Sequence, residues 1–186
     1  MEYFYTNSIM FQLNSRRGLE PRIVTLEQPI WIAGLSRKIS LKRTTRDLKR
    51  LSSRLDSLIR KYPIPDLKNP PAFAIVSKSF YKDQEKGTYI IGHVINSFHH
   101  IPGVYYVFEI PAITYALFTI RPPNRFSSGM ALSRMRRYSY NDWLPYSGYE
   151  QAEIIDDFEY HDERSSREKN PEIDFYLAIR EKSSKD

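Results

Sequence analysis

Glu159 stands between two aromatic residues, Phe158 and Tyr160, and His161 follows it at two residues' distance. A carboxylate flanked by rings is costly to bury unless something pairs with it. Two chemistries fit such a group. Among aromatic faces it attracts a cation, because its charge and the ring quadrupoles act in the same direction. It can also orient water while a tyrosine assists proton transfer, and Glu159 with Tyr176 is the candidate pair for that role. A plainer reading is that Glu159 is satisfied by a neighbour such as Arg164 or a lysine across a sheet.

Further candidates come from strand periodicity. In the stretch 172–179, Ile173, Phe175, Leu177 and Ile179 take one face and read as core, whereas Glu172, Asp174 and Tyr176 share the other. Tyr176 is placed to hydrogen-bond Glu159 or a ligand, and Glu172 is a candidate at the edge of the same cavity. Trp31, Tyr115 and Trp143 are candidate stacking surfaces, since rings line small-molecule pockets as well as cores. His161, on the face of Glu159, is placed to tune it. The four histidines are not spaced as metal ligands, and no glycine-rich phosphate loop or nucleophile elbow is present, so neither metal nor cofactor is expected.

These residues must be carried by a chain of 186 residues, long enough for one domain with a core of its own. Aromatics reach 14%, well above what a disordered composition carries. Cysteine is absent, which removes disulfides, zinc thiolates and a thiol nucleophile and fits a cytoplasmic protein. Neither a signal peptide nor an apolar run of membrane-spanning length is visible. The net charge of +6 is unevenly placed: residues 37–61 hold ten basic and two acidic side chains, a surplus of eight, so the rest of the chain is net −2. That segment reads as a solvated helix face or as a surface for nucleic acid or an acidic partner.

Residues 1–20 read as an N-terminal extension and 21–182 as the domain. Strand-like composition covers 22–34, with a break at Pro29. Leu48, Leu51, Leu55, Leu58 and Ile59 form an apolar stripe over a helix 45–61, with Thr45 or Asp47 to cap it and Pro63 to end it. Strands are expected at 72–77 and 88–95, joined by the polar turn 82–87. Strand-like sequence then runs over 104–120 with a bend at Pro111, followed by a weaker helix 127–144 and strands at 155–161 and 173–179. The order strand, helix, strand, strand thus occurs twice, over about 21–97 and 103–182, with Ala74 aligned to Glu159 and Trp31 to Tyr115. The expectation is an α+β fold of two βαββ halves about a pseudo-twofold, with an antiparallel sheet, two main helices and a cleft between them.

The run Phe158-Glu159-Tyr160, the segment Pro171-Glu172-Ile173-Asp174-Phe175-Tyr176-Leu177-Ala178-Ile179, the opening Ile110-Pro111-Ala112-Ile113 and the stretch from Trp143 to Glu150 together resemble the GyrI-like effector-binding domain of bacterial multidrug-sensing transcription regulators. Ala178 replaces the proline usual in the last strand. The resemblance implies that Glu159 lies at the floor of a ligand cavity. With about 20 residues ahead of the fold, too few for a helix-turn-helix module, it implies a stand-alone binder of lipophilic, aromatic or cationic compounds that senses or sequesters them and acts on a protein partner. The first alternative is a hydrolase of strained electrophilic natural products on the same fold. The second is nucleic-acid or acidic-partner binding through 37–61.

Overall fold

A computed structural model describes residues 20–80 and 86–182. The rest of the expected N-terminal extension and part of the 82–87 turn lie outside the described residues. The described residues form nine strands and two helices of more than two turns: β1 (Arg22–Thr25), β2 (Ile30–Ser40), α1 (Thr44–Lys61), β3 (Phe73–Lys78), β4 (Lys86–Ile95), β5 (Tyr106–Ile110), β6 (Thr114–Ile120), α2 (Ser128–Tyr138), β7 (Tyr149–Gln151), β8 (Asp157–His161) and β9 (Ile173–Glu181). The interruptions fall where proline removes a ladder donor: Pro29 precedes β2, and Pro111 separates β5 from β6.

Every pairing is antiparallel, and the sheet runs β1-β6-β9-β8-β3-β4-β2-β5, with β7 added alongside β9. This order reads alike from either side of the β8–β3 junction: β3, β4 and β2 on one side answer β8, β9 and β6 on the other. Each set of three strands carries one helix. The chain is therefore an α+β protein with two like halves, the arrangement the repeat in the sequence implied.

The register corrects two expected correspondences. Ile75 pairs with Glu159 across the junction, Ile75 with Ile91, and Glu159 with Phe175. Ile75, not Ala74, is therefore the counterpart of Glu159. The same ladders pair Leu35 with Ile91 and Phe118 with Phe175, which makes Ile32, not Trp31, the counterpart of Tyr115. A shift of one residue moves a side chain to the other face, so the difference matters for the site.

Three clusters fill the core. Beneath α1, Leu51 and Leu55 pack with Ala33, Leu35, Ile91 and Ile95. Beneath α2, Leu132 and Met135 pack with Phe118, Ile173, Phe175 and Leu177. The opposite face of the sheet holds Ile32, Val76, Ile90, Tyr115, Phe158 and Ala178. Close approach of β2 to β4 depends on glycine: a Cβ on Gly34 would fall 1.8 Å from the Ile91 carbonyl oxygen. Helix α1 starts at Thr44 with Arg43 in the cap position and no side-chain cap, so neither Thr45 nor Asp47 caps it; Asp47 instead lies 4.0 Å from Arg46. Its basic residues Arg46, Lys49, Arg50 and Arg54 are exposed, as is Arg43 just before it. Arg54 shares a surface hollow of about 570 Å³ with Arg37 and Leu35, which puts that flank beside β2.

Candidate functional site

Period-two geometry fixes which side chains of β8 face the helices. Glu159 pairs with Ile75 and Phe175, both members of the helix-side clusters, so Asp157, Glu159 and His161 also face the helices. They lie at the middle of the sheet, between the strands covered by α1 and those covered by α2. Half-buried Phe73, Ile75 and His93 continue this floor into the first half. Ring contacts join Phe73 to His93 at 5.3 Å and to His161 at 6.4 Å. Burial holds His93 below its ordinary pKa, with Asp56 of α1 pulling the other way.

The second helix supplies the counter-charge. Arg136 lies in the last turn of α2, and its Nη2 donates to Asp157 Oδ1 at 2.9 Å and to Glu159 Oε1 at 3.1 Å, while its Nε donates to Asp157 Oδ2 at 3.2 Å. The guanidinium carbon sits 5.3 Å from the centre of the Phe175 ring. Beyond Tyr138 the helix widens by one turn through Ser139–Trp143. Tyr140, four residues past Arg136 and so on the same side of the helix, reaches the same carboxylate and donates its hydroxyl proton to Asp157 Oδ2 at 2.9 Å. His161 Nε2 lies 3.3 Å from Glu159 Oε2. Such widened turns recur at functional sites, and Tyr140 lies within this one.

Glu159 is only 6% exposed. Burial pushes its carboxyl pKa upward, but the hydrogen bond to His161 and the charge of Arg136 outweigh that and hold it below the usual carboxylate range. Two acidic side chains thus share one guanidinium at this place in the sheet. The depressed pKa has a consequence for stability. As pH falls, the unfolded chain takes up the proton before the folded one does. The contribution of Glu159 is thus complete at neutral pH and is lost as pH drops from about 4.5 through the folded-state value. In Glu159→Gln the slope of unfolding free energy against pH between about 3 and 5 should be shallower than in the wild type, measured by urea titration at each pH; equal slopes would remove this coupling.

Glu159 is thus satisfied by a protein counter-ion, as the plainer reading of the sequence has it, but the partner is Arg136; Arg164, named in that reading, is engaged elsewhere. Arg164 pairs with Asp162 at 2.8 Å, Asp174 at 2.6 Å and Glu172 at 3.5 Å, and Glu172 also meets Arg121 at 3.4 Å. By register, Glu172, Asp174 and Tyr176 lie on the face of the sheet away from Glu159. Tyr176 stacks on Phe158 at 4.3 Å with the planes 4° apart. Tyr115 is fully buried on that same face and donates to the Pro111 carbonyl at 2.7 Å. The sheet separates Tyr176 from Glu159, so the pair considered for proton transfer is not assembled. Trp31 and Trp143 are on the helix side but over outer strands. Trp31 contacts Phe98 at 4.6 Å at the start of β2, and Trp143 meets Phe118 of β6 at 5.7 Å. Of the six residues chosen from sequence, Glu159 joins the charged cluster at the middle of the sheet; the structure adds Arg136, Asp157 and Tyr140, with His161 beside them. Among the described residues no cluster of three or more histidine and carboxylate side chains could hold a metal ion, and no helix is long and apolar enough to cross a membrane.

An α+β sheet of two like halves is the architecture of a GyrI-like effector-binding domain, and comparison with known proteins agrees. Residues 22–179 match the model of the Cass2 family of integron-associated effector binding proteins, and the chain belongs to that family. No curated protein sequence matches significantly. Three solved structures share the fold at low identity. An integron cassette protein from the mobile metagenome of Vibrio cholerae superposes with a TM-score of 0.59 at 11% identity, covering 87% of this chain and 96% of that one. SAV2435, solved bound to tetraphenylphosphonium, gives 0.65 at 10% identity over 87% and 94% of the two chains. The C-terminal domain of EcmrR gives 0.55 at 12% over 88% and 99%.

Proposed function

We propose that residues 21–182 form a binding module for lipophilic small molecules, aromatic or cationic, which enter the cleft between α1 and α2 and settle over Glu159. The observation that carries this reading is the buried pair Asp157 and Glu159 sharing one guanidinium at the sheet's centre, beside the half-buried rings of Phe73 and His161. Two acids that share one guanidinium, next to apolar and aromatic surface, suit a large cation whose charge is spread and weakly hydrated. The tetraphenylphosphonium bound by SAV2435, a protein of the same fold, is a ligand of this kind. In this reading the module senses or sequesters its ligand in the cytoplasm and passes the signal to a protein partner.

A ligand that binds the folded state raises the melting temperature by mass action. Tetraphenylphosphonium is expected to stabilise the wild-type chain in a thermal-shift titration, and more strongly than the neutral triphenylphosphine oxide. Glu159→Gln should lose most of the difference between the two compounds. If the variant keeps the full preference for the cation, the carboxylate is not part of the site.

A further inference from the structure

Arg136 occupies the place that a bound cation would take. Its Nη2 bridges both carboxylates, its Nε makes a third hydrogen bond, and its guanidinium lies against the Phe175 ring, so charge, donors and aromatic contact are all supplied from within. The side chain is nevertheless 26% exposed, against 2% for Asp157 and 8% for Glu159. The arginine is thus the most solvent-exposed of the three, and it covers the two acids on the helix side of the sheet.

We propose that Arg136 is the specificity-determining residue of the cleft: a tethered cation that competes with any free cation for Glu159 and Asp157. The inference rests on reading the cleft as a ligand site, and deepens it. A tetra-aryl cation has no N–H donors and cannot restore the three hydrogen bonds that Arg136 gives up, so the wild-type site discriminates against it. Ligands gain when the competitor is absent. The charged and titratable groups around the arginine are Asp157, Glu159, His161, Tyr140 and Tyr89, and Tyr140 is already committed to Asp157.

The test uses the full chain and tetraphenylphosphonium, with affinity read by calorimetry. Arg136→Met combined with Asp157→Asn removes one positive and one negative charge, so the net charge of the cluster is unchanged while Glu159 loses its tethered partner. This double variant should bind the cation about tenfold tighter than the wild type, because breaking a buried pair is no longer part of binding. Triphenylphosphine oxide should bind both proteins equally, and adding Glu159→Gln should abolish the gain. Arg136→Gln, which removes the charge but keeps an N–H donor on a shorter side chain, should change affinity in the same direction and serves if the double variant fails to fold. A folded variant that binds the cation no better than the wild type, while the wild type does bind, overturns the role of Arg136 alone. Binding to neither protein overturns the site itself.

Discussion

Replacing Arg136 by methionine is expected to lower the unfolding free energy by about 3–5 kcal/mol, the cost of breaking a buried ion pair by removing one partner. The carboxylates left behind are almost fully enclosed, and Asp157 would keep only the Tyr140 hydroxyl of its present side-chain donors. Adding Asp157→Asn should recover a substantial part of the loss, since it removes one of the two stranded charges. Urea unfolding checks both statements through the midpoint, with the slope unchanged. A loss below about 1 kcal/mol would mean that the pair behaves as an exposed surface bridge.

Phe175→Ala is expected to cost a similar amount, about 3–5 kcal/mol, the usual range for emptying a buried aromatic position. Phe175 is fully buried, pairs across the ladder with Glu159, contacts Phe118 at 6.2 Å and supports the Arg136 guanidinium from below. It joins the core beneath α2 to the charged cluster. Its deletion should therefore couple to that of Arg136: the double variant Phe175→Ala, Arg136→Met should lose less than the sum of the two single losses, by about 0.5 kcal/mol or more. Additive losses would show that the ring supports the core but not the arginine.

Much of this arrangement was legible in the sequence, for identifiable reasons. The stripe of Leu48, Leu51, Leu55 and Ile59 has the helical period, and α1 follows it to within a residue of its start. Proline positions marked the breaks, and the doubled order of elements implied the two halves. Glu159 was legible because a carboxylate between aromatics in a strand is unusual. Asp157 and His161 follow from it by the two-residue period, although Asp157 gave no separate signal of its own.

What the sequence could not fix was the register between strands. Whether Glu159 meets Phe175 or Tyr176 across the ladder is a choice of one residue, and both choices leave an apolar stripe on β9. Tyr176 was therefore expected beside Glu159 but lies on the far face. Nor does local pattern single out Arg136. Helix α2 carries Arg134, Arg136 and Arg137 within four residues, and only the way the helix sits on β9 decides which one turns inward. Trp31 and Trp143 drew attention as large rings, yet both are used in packing over outer strands. Partner choice between distant elements is a tertiary property, and it governs the parts of the site that Arg136 and Tyr140 supply to β8.

The most direct test is a crystal structure of the chain with tetraphenylphosphonium. The account predicts the phosphonium between α1 and α2, with aryl rings against Phe73 and His161 and the Arg136 side chain drawn away from Glu159. A ligand found on the opposite face near Tyr115 and Tyr176, or over Trp31 and Phe98, with the bridge from Arg136 to Glu159 intact, would contradict it.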